Sequence, residues 1–383
     1  MAGLYIHIPF CKSRCIYCAF YSTVSLDMRQ RYVDALCKEM EMRGTRDVDG
    51  KMGLETIYLG GGTPSQLTTS QIRQLFIYIN KVWGNNAKEI TIEMNPDDVT
   101  KEYADVLREL GVNRVSMGAQ TFDDKRLHFL HRRHTSQQVN EAVNILREAG
   151  FRNISIDLMY GFPGETLEDW KQDIKKALSL KVEHVSAYCL MIEEGTVLYE
   201  KMRDGENEKM RNGDNEKMRD GGEEEERQMY EVLIDQLTQT GYEHYEISNF
   251  AKPGFRSRHN SSYWHDVPYT GLGAAAHSYD LKSRSWNVAN IQQYITAIEQ
   301  GERPAEYEVI DEDTHYNDCI TTALRTSDGL DITTMPEKFQ HYCLKEAERF
   351  LCDGLLKREG NRLVLTRKGL FVSDMVMSGL IYV

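Results

Sequence analysis

The stretch His7-Ile-Pro-Phe-Cys-Lys-Ser-Arg-Cys-Ile-Tyr-Cys-Ala-Phe20 carries three cysteines close together. Cys11, Cys15 and Cys18 are spaced to hold three corners of a four-iron cluster, which leaves one iron without a protein ligand. An iron with an open position can chelate a small molecule, whereas a closed electron-transfer centre needs a fourth thiolate. The sequence therefore predicts a [4Fe-4S] cluster that takes part in chemistry.

Two other uses of these cysteines stay open, a zinc site and ordinary buried thiols. A structural zinc site needs four ligands, usually in two paired halves, and no second cysteine pair follows at a matching distance. A disulfide framework is not expected, because the chain is long and its start lacks a basic segment followed by an apolar one. We interpret the remaining cysteines as packing residues in a reducing cytoplasm; they are Cys37, Cys189, Cys319, Cys343 and Cys352.

Length and charge limit the class of protein. The chain has 383 residues and a formal net charge of −13, and such a length suits two or three domains. No apolar run approaches the roughly 18 residues of a membrane helix, and the negative charge would repel phosphate backbones. We expect a soluble, cytoplasmic protein whose partners are small molecules or proteins rather than nucleic acid.

Short β-branched runs alternate with helical segments through the first half of the chain. Apolar residues recur at helical spacing in Thr69–Val82 and Thr135–Ala149, which lie between such runs. This alternation predicts an α/β fold with parallel strands joined by crossover helices, and six units make a partial (β/α)6 barrel. The predicted strands are Leu4–Ile8, Thr56–Leu59, Glu89–Glu93, Arg114–Met117, Asn153–Asp157 and His184–Tyr188.

Polar and glycine-rich residues follow the ends of these strands. Gly60-Gly-Gly-Thr-Pro64 comes after the second strand, Glu93 closes the third, Gln120 follows the fourth and Asp157 ends the fifth. Barrels of this type carry their chemistry at the carboxyl ends of the strands. Glycines there let the backbone approach a ligand closely. The sequence therefore predicts a binding site at this end of the barrel.

The cysteine triad, the glycine-rich turn and the strand pattern resemble the radical S-adenosylmethionine (SAM) superfamily. The resemblance implies a partial barrel in which SAM meets the open iron and the glycine-rich turn. For Glu93, Gln120, Arg132 and Asp157, an ordinary salt bridge or hydrogen bond at the barrel mouth is the alternative. The residues that the resemblance assigns to SAM are Tyr5, Tyr17, Gly61, Gly62, Thr63, Glu93, Gln120, Arg132 and Asp157.

Longer stretches are similar to the oxygen-independent coproporphyrinogen III oxidase group within that superfamily. They are Tyr5–Cys11, Gly60–Pro64, Gly118–Phe122, Ile156–Gly164 and Tyr245–Gly254.

Two features separate the branches of this group. The oxidases carry a further cysteine where this sequence has Phe20, and His259-Asn-Ser-Ser-Tyr-Trp264 resembles a motif of the haem-chaperone branch, the HemW-type proteins. There the histidine is implicated in haem binding, and a neutral imidazole beside aromatic rings suits haem iron and its macrocycle. The resemblance thus implies a haem site of His259, Asn260, Tyr263 and Trp264, with His265 and His277 as competing ligands.

Later segments differ from the barrel in pattern. Glu200–Asn207 is an octapeptide that recurs almost unchanged at Glu208–Asn215 and again from Glu216. A glycine in each copy opposes one long helix, so we interpret the repeat as a solvated insertion. The predicted division is 1–198 for the barrel, 199–226 for the insertion, 227–304 for a segment that completes the barrel and carries the haem motif, and 305–383 for the C-terminal domain.

The C-terminal domain has a winged-helix-like pattern. Helical segments at Asp311–Leu324 and Pro336–Cys352 precede Gly354–Gly369, which reads as a strand, a tight turn and a strand. Glutamates in the helices dilute their positive charge, and the resembling family uses a similar domain to cover the barrel. DNA binding is therefore not expected.

Three functions follow as hypotheses. The leading one is a haem chaperone that uses a [4Fe-4S] cluster and SAM and transfers haem to acceptor haemoproteins. The second is an oxidase that decarboxylates coproporphyrinogen III to protoporphyrinogen IX through radical chemistry, against which Phe20 argues. The third is a radical enzyme with another substrate. The resemblance also implies a homodimer and peripheral contact with respiratory proteins at a membrane.

Overall fold

The structure is a computed structural model that describes residues 2–44, 53–203 and 222–383. Its centre is a run of six parallel strands, each hydrogen-bonded to the next. The predicted α/β fold and partial barrel are confirmed, and every predicted strand is present. The six strands are β1 (Ala2–Ile8), β2 (Leu54–Gly61), β3 (Glu89–Met94), β4 (Arg114–Gln120), β5 (Ile154–Tyr160) and β6 (His184–Cys189).

Later strands extend this sheet at both edges. The full order is β12-β11-β10-β9-β1-β2-β3-β4-β5-β6-β8-β7, in which β9 runs parallel to β1 and the other added strands pair antiparallel. The sheet therefore continues five residues past the predicted start of the C-terminal domain. The added strands are β7 (Glu243–Glu246), β8 (Asn249–Ala251), β9 (Tyr269–Leu272), β10 (His277–Tyr279), β11 (Ser283–Asn287) and β12 (Ala305–Val309).

Helices cover the outer face of the barrel and start at capping residues. The Thr68 hydroxyl accepts from the Gln71 amide and the Gln71 side chain accepts from the Thr68 amide, which fixes where α2 begins. The described helices of the sheet domain are α1 (Arg29–Arg43), α2 (Thr69–Trp83), α3 (Lys101–Glu109), α4 (Asp124–Phe129), α5 (Ser136–Glu148), α6 (Leu167–Ser179), α7 (Glu223–Gln239), α8 (Arg258–Trp264) and α9 (Ile291–Gln300). Residues 197–203 are also helical.

The C-terminal part has its own small sheet and its own core. Tyr316 and Phe339 stack in this core with ring centroids 4.6 Å apart. The predicted order of two helices, strand, turn and strand is present. Its elements are α10 (Glu312–Ala323), β13 (Leu330–Asp331), α11 (Glu337–Cys352), β14 (Leu356–Glu359), β15 (Arg362–Leu365), α12 (Arg367–Leu370) and α13 (Ser373–Ser378).

Some predictions concern cysteines and residues between the described ranges. Cys37 and Cys343 are buried in the two cores, as predicted for packing residues, but Cys352 is exposed. Most of the octapeptide repeat lies outside the described residues, so its interpretation stays a prediction. Within the described ranges, no helix is both long enough and apolar enough to cross a membrane.

Candidate functional site at the barrel mouth

The three cysteines lie on the loop that leaves β1. The Cys11 amide donates to the Thr23 carbonyl at 2.9 Å, and the Thr23 amide donates to the Pro9 carbonyl at 2.7 Å, so the loop returns alongside its own start. Cys11 is buried, Cys15 and Cys18 are partly buried, and all three are free thiols. The loop thus places three unpaired sulphur donors at the carboxyl end of the first strand.

Backbone hydrogen bonds tie this loop across the barrel. The Ile16 amide donates to the Leu130 carbonyl at 3.3 Å, and the Leu198 amide donates to the Ile16 carbonyl at 2.9 Å. Ile16 also packs in a small apolar cluster with Met159 and Phe162, which follow or close β5. The cysteines are therefore held by residues that come after β4, β5 and β6.

Two polar side chains point at the sulphurs. Arg132 Nη1 lies 3.5 Å from Cys15 Sγ, and Thr63 Oγ1 lies 3.6 Å from Cys11 Sγ. Arg132 Nη2 donates to the Gly118 carbonyl at 2.6 Å and to Asn95 Oδ1 at 2.8 Å, while its buried Nε has no partner among the described residues. A guanidinium with a spare donor suits an anionic cluster beside it.

The donor set fits a cluster with three protein ligands. The loop offers three thiols within eight residues and no fourth cysteine. Burial raises the pKa of Cys11 and of Cys18, so both thiols are protonated until a metal displaces the proton. The arrangement therefore matches a four-iron cluster with one open iron better than a closed metal site.

The glycine-rich turn packs directly against the cysteine loop. Gly61 has φ +113°, and a Cβ there would lie 2.6 Å from the His7 ring. A Cβ on Gly62 would lie 2.7 Å from the Pro9 carbonyl carbon and 3.1 Å from Cys11 Sγ. Only glycine fits at either position, so the bare backbone of this turn forms a wall of the mouth.

Two carboxyl groups lie toward the same end of the barrel, although Asp157 does not end its strand as predicted, because β5 continues to Tyr160. Glu93 accepts from the Tyr58 hydroxyl at 2.8 Å and from the Gly61 amide at 3.1 Å. Burial raises the pKa of Glu93 to about 7, with the Asp157 charge adding to the effect of burial. Burial likewise raises the pKa of Asp157 to about 6, against the opposing charge of Arg114. A cationic ligand beside these two buried carboxyl groups would stabilise their ionised form.

The remaining residues predicted to bind SAM lie around these groups at different depths. Gln120 is buried at the end of β4 with φ +66°, close to Arg132 and Gly118. Burial raises the pKa of Tyr17, and the charges of Arg132 and Cys15 also act on this hydroxyl. The Tyr5 hydroxyl lies 3.0 Å from His7 Nδ1, and its ring lies deeper, 6.2 Å from that of Tyr58.

The haem motif lies elsewhere, on α8. His259 is fully buried, with Nδ1 2.8 Å from Thr56 Oγ1 and Nε2 2.8 Å from the Tyr263 hydroxyl. Its amide donates to Glu89 Oε1 at 2.9 Å. Thr56 and Glu89 lie at the starts of their strands, and Thr56 is roughly 16 Å along β2 from Gly61. His259 thus occupies the floor of the barrel, at the opposite end from the cysteines.

Both ring nitrogens of His259 are in use in this structure. Burial lowers the pKa of His259 to about 3, with the charge of Arg114 adding to the effect, so the imidazole is neutral. Tyr58 stacks on it with ring centroids 5.0 Å apart. The ring has the right protonation state for an iron ligand, but no free nitrogen.

The other motif residues are only partly buried. The Tyr263 ring packs edge-on against Tyr269 at 4.6 Å, and the Trp264 ring lies 6.2 Å from that of Tyr245. Asn260 is also partly buried. A cavity of about 370 Å³ lies beside this helix and is lined by residues that include Glu55 and Arg258.

The two competing histidines are both exposed. His265 Nδ1 donates to the Ser261 carbonyl at 2.7 Å, and its Nε2 lies 3.3 Å from Asp328 Oδ2. The His277 ring stacks on Trp286 with centroids 5.8 Å apart.

Sequence reasoning missed the residues that hold the floor together. Arg114 is buried inside the barrel, and its Nε and Nη1 have no partner in the described part of the chain. Thr56 and Tyr58 both contact His259. The sequence does contain a signal for Thr56 and Tyr58. Residues 56, 58 and 60 alternate along β2 and therefore face the same side of the sheet, which is the barrel interior.

Comparisons with known proteins agree with the resemblance seen in the sequence. The radical SAM superfamily profile matches residues 5–177, and the HemN C-terminal domain profile matches residues 310–372. The heme chaperone HemW of Bacillus subtilis is 40% identical over 301 residues, which cover 78% of this chain and 76% of that protein. The chain belongs to the HemW family.

A second relative in the family extends over nearly the whole chain. The heme chaperone HemW of Lactococcus lactis is 34% identical over 371 residues, covering 95% of this chain and 93% of that protein. The solved coproporphyrinogen III oxidase (HemN) from Escherichia coli has a TM-score of 0.83 at 23% identity, covering 99% of this chain and 90% of that one, and shares the fold. The predicted superfamily and branch are both confirmed, and radical SAM membership implies a [4Fe-4S] cluster and SAM.

Proposed function

We propose that this protein is a haem chaperone, which binds haem and delivers it to acceptor haemoproteins. The observation that carries the proposal is the match to proteins named heme chaperone HemW, at 34% identity over 95% of the chain. Phe20 supports this function over the oxidase, because that group of enzymes resembles this sequence but has a cysteine at the same place. The side chain of Phe20 is 72% exposed, so it is no core residue.

The cluster is assigned to Cys11, Cys15 and Cys18, and SAM to the mouth beside them. Together these cofactors supply one-electron chemistry at that position when bound. The bare backbone of Gly61, Gly62 and Thr63 would take the amino-acid end of SAM. The carboxyl groups of Glu93 and Asp157 would face positive or hydroxyl groups of the ligand. The other proposed SAM contacts are Tyr5, Tyr17, Gln120 and Arg132.

Haem is assigned to α8, with His259 as the iron ligand. The neutral imidazole is the form that binds iron. To bind through Nε2, His259 must lose its hydrogen bond to Tyr263, and α8 must move away from the first strands. Asn260, Tyr263 and Trp264 lie on the same helix and would then contact the macrocycle; all three are partly buried in this structure.

A haem titration of the cluster-loaded protein tests this assignment. We expect His259→Ala to reduce haem affinity at least tenfold, as followed by the Soret band, because the proposed iron ligand is removed. His265→Ala is the matched control, because His265 is an exposed histidine beside the same helix. Thermal melting of both variants distinguishes a lost ligand from a lost fold. Equal haem affinity in wild type and His259→Ala would remove His259 from the site.

The second candidate is the coproporphyrinogen III oxidase. The HemN C-terminal domain profile at residues 310–372 favours it. Anaerobic incubation of cluster-loaded protein with SAM, a reductant and coproporphyrinogen III separates the two functions. Protoporphyrinogen IX formed over many turnovers would establish the oxidase, and a loaded cluster that yields no product would exclude it.

A further inference from the structure

A group of three metal-binding side chains lies away from both sites described above. Asp266 follows α8, and His315 and Cys319 lie on α10 of the C-terminal part. One ligand atom of each residue lies within 4.8 Å of the other two. Within the described ranges, no other group of three or more histidine, cysteine or carboxylate side chains converges to this degree.

The spacing of the group follows from the helix and the loop. His315 and Cys319 are four residues apart on α10, so they share one face. His315 Nε2 lies 2.9 Å from Asp266 Oδ2 and 3.8 Å from Cys319 Sγ. In a tetrahedral zinc site with ordinary bond lengths, neighbouring ligand atoms are roughly 3.3–3.6 Å apart. The two distances from His315 are therefore within about half an ångström of this spacing, and the Asp266 and Cys319 ligand atoms lie within 4.8 Å of each other.

Surrounding groups orient the carboxylate and leave room for solvent. The Tyr279 hydroxyl donates to Asp266 Oδ1, which directs Oδ2 toward His315. Such support of a ligand by a neighbouring side chain is usual in metal sites. The nearby Asp318 is paired with Arg284 at 3.0 Å. The side chains of His315 and Asp266 are 40% and 39% exposed, so water can reach a fourth position.

We propose that Asp266, His315 and Cys319 bind a divalent transition-metal ion such as Zn²⁺, with water as the fourth ligand. A donor set of one sulphur, one nitrogen and one oxygen suits zinc or cobalt rather than magnesium or calcium, which prefer oxygen. Haem iron cannot take both His315 and Cys319 as axial ligands, because axial ligands approach from opposite faces of the haem, whereas these side chains lie on the same face of α10.

The site would join two parts of the chain. Asp266 lies two residues after Trp264 of the haem motif, and the other ligands belong to the C-terminal part. A bound ion would therefore fix the end of α8 to α10 and stabilise the folded protein. Measuring this role requires neither haem nor SAM.

Cobalt titration of the cluster-loaded protein, under anaerobic conditions, tests the proposal. We expect one equivalent of Co²⁺ to bind with a thiolate-to-cobalt absorption band, and Zn²⁺ to displace it. The band should be absent in Cys319→Ser. Affinity should fall at least tenfold in His315→Ala. Cys352→Ser, at an exposed cysteine of the same part of the chain, should bind as the wild type does. Iron content measured before and after shows whether the cluster stays loaded.

A variant that preserves shape keeps the test decisive. Asp266→Asn is nearly isosteric and keeps an acceptor for the Tyr279 hydroxyl, and an exposed ion pair such as that with His315 contributes about 0–1 kcal/mol. We therefore expect this variant to change the metal-free melting temperature little and to weaken Co²⁺ binding. Zn²⁺ should raise the melting temperature of the wild type and not that of Cys319→Ser. A wild type that binds no Co²⁺, or a Cys319→Ser protein that keeps the absorption band, would overturn the proposal.

Discussion

The mouth and the floor of the barrel differ in how many of their polar groups are paired. At the mouth, three thiols form no disulfide, Arg132 Nε has no partner in the described part of the chain, and glycines expose bare backbone. At the floor, both ring nitrogens of His259 are hydrogen-bonded, and Glu89 accepts from the amides of Arg258 and His259. Arg114 is the exception at the floor, because its Nε and Nη1 have no partner among the described residues.

Polar groups without a protein partner are candidates for ligand binding, whereas polar groups bonded to each other stabilise the fold. Buried polar atoms are nearly always paired, so unpaired ones at the carboxyl ends of barrel strands indicate binding. The paired groups of the floor hold α8 against the first strands. A haem site at the floor therefore requires these hydrogen bonds to be exchanged, whereas the contacts to the thiols at the mouth are the long ones from Arg132 and Thr63.

The largest effect is expected at the cysteine loop. Cys15→Ser removes one of the three proposed cluster ligands, so iron and sulphide content after anaerobic reconstitution should fall to near zero. Cys15 is only partly buried, so the melting temperature of the apoprotein should change little. Cys352→Ser is the control and should load iron fully. Full loading of Cys15→Ser would contradict the assignment of the mouth.

The next effect is expected at the glycine-rich turn. Gly61→Ala places a Cβ at φ +113° and 2.6 Å from the His7 ring, which should lower the free energy of unfolding by about 2–4 kcal/mol. It should also weaken SAM binding, because the backbone wall must shift. Gly53→Ala, with open space around its Cβ, is the control in denaturant unfolding and in SAM titration. Wild-type stability and SAM affinity in Gly61→Ala would refute the close packing of the turn.

Glu93 should make the stability of the protein depend on pH. Its pKa rises from 4.5 unfolded to about 7 folded because of burial. The stability from this group is therefore present below about pH 4.5 and is lost as the pH rises through 7. Between pH 5 and pH 8, the free energy of unfolding of the wild type should fall by up to about 3 kcal/mol as Glu93 ionises. Glu93→Gln should not show this fall.

Chemical denaturation of the apoprotein across this pH range measures the effect of Glu93. Glu102→Gln, at an exposed glutamate on α3, is the control and should keep the wild-type profile. An unchanged pH profile in Glu93→Gln would show that the Glu93 carboxyl is solvated and not part of a buried mouth.

The smallest effect is expected from replacing Tyr263, whose hydroxyl is hydrogen-bonded to His259 Nε2. Tyr263→Phe removes the hydroxyl from His259 Nε2. If His259 binds iron, haem affinity should rise about two- to tenfold, because the loss of a competing hydrogen bond frees the nitrogen. Tyr269→Phe, whose ring packs against Tyr263, serves as the control in the same Soret titration. A drop in affinity would mean that the Tyr263 hydroxyl itself contributes to the haem site.

The sequence by itself determined the elements and the mouth. Strand and helix bounds follow from local periodicity and from caps such as Thr68 and Thr135, whose signals lie within a few residues. The cysteine triad and the glycine-rich turn are also local patterns. Parallel strands then bring their carboxyl ends together, which is why residues named from sequence, such as Cys11, Thr63 and Arg132, lie close to one another at the mouth.

Only the tertiary structure decided what surrounds His259 and Cys319. The partners of His259 include Thr56, some 203 residues away in sequence, and a contact of that range leaves no local trace. The sequence grouped Cys319 with packing cysteines, whereas the fold places it beside His315 and Asp266. Both sites depend on contacts between residues that are far apart in the sequence and that only the folded chain brings together. Composition and local spacing therefore could not reveal them.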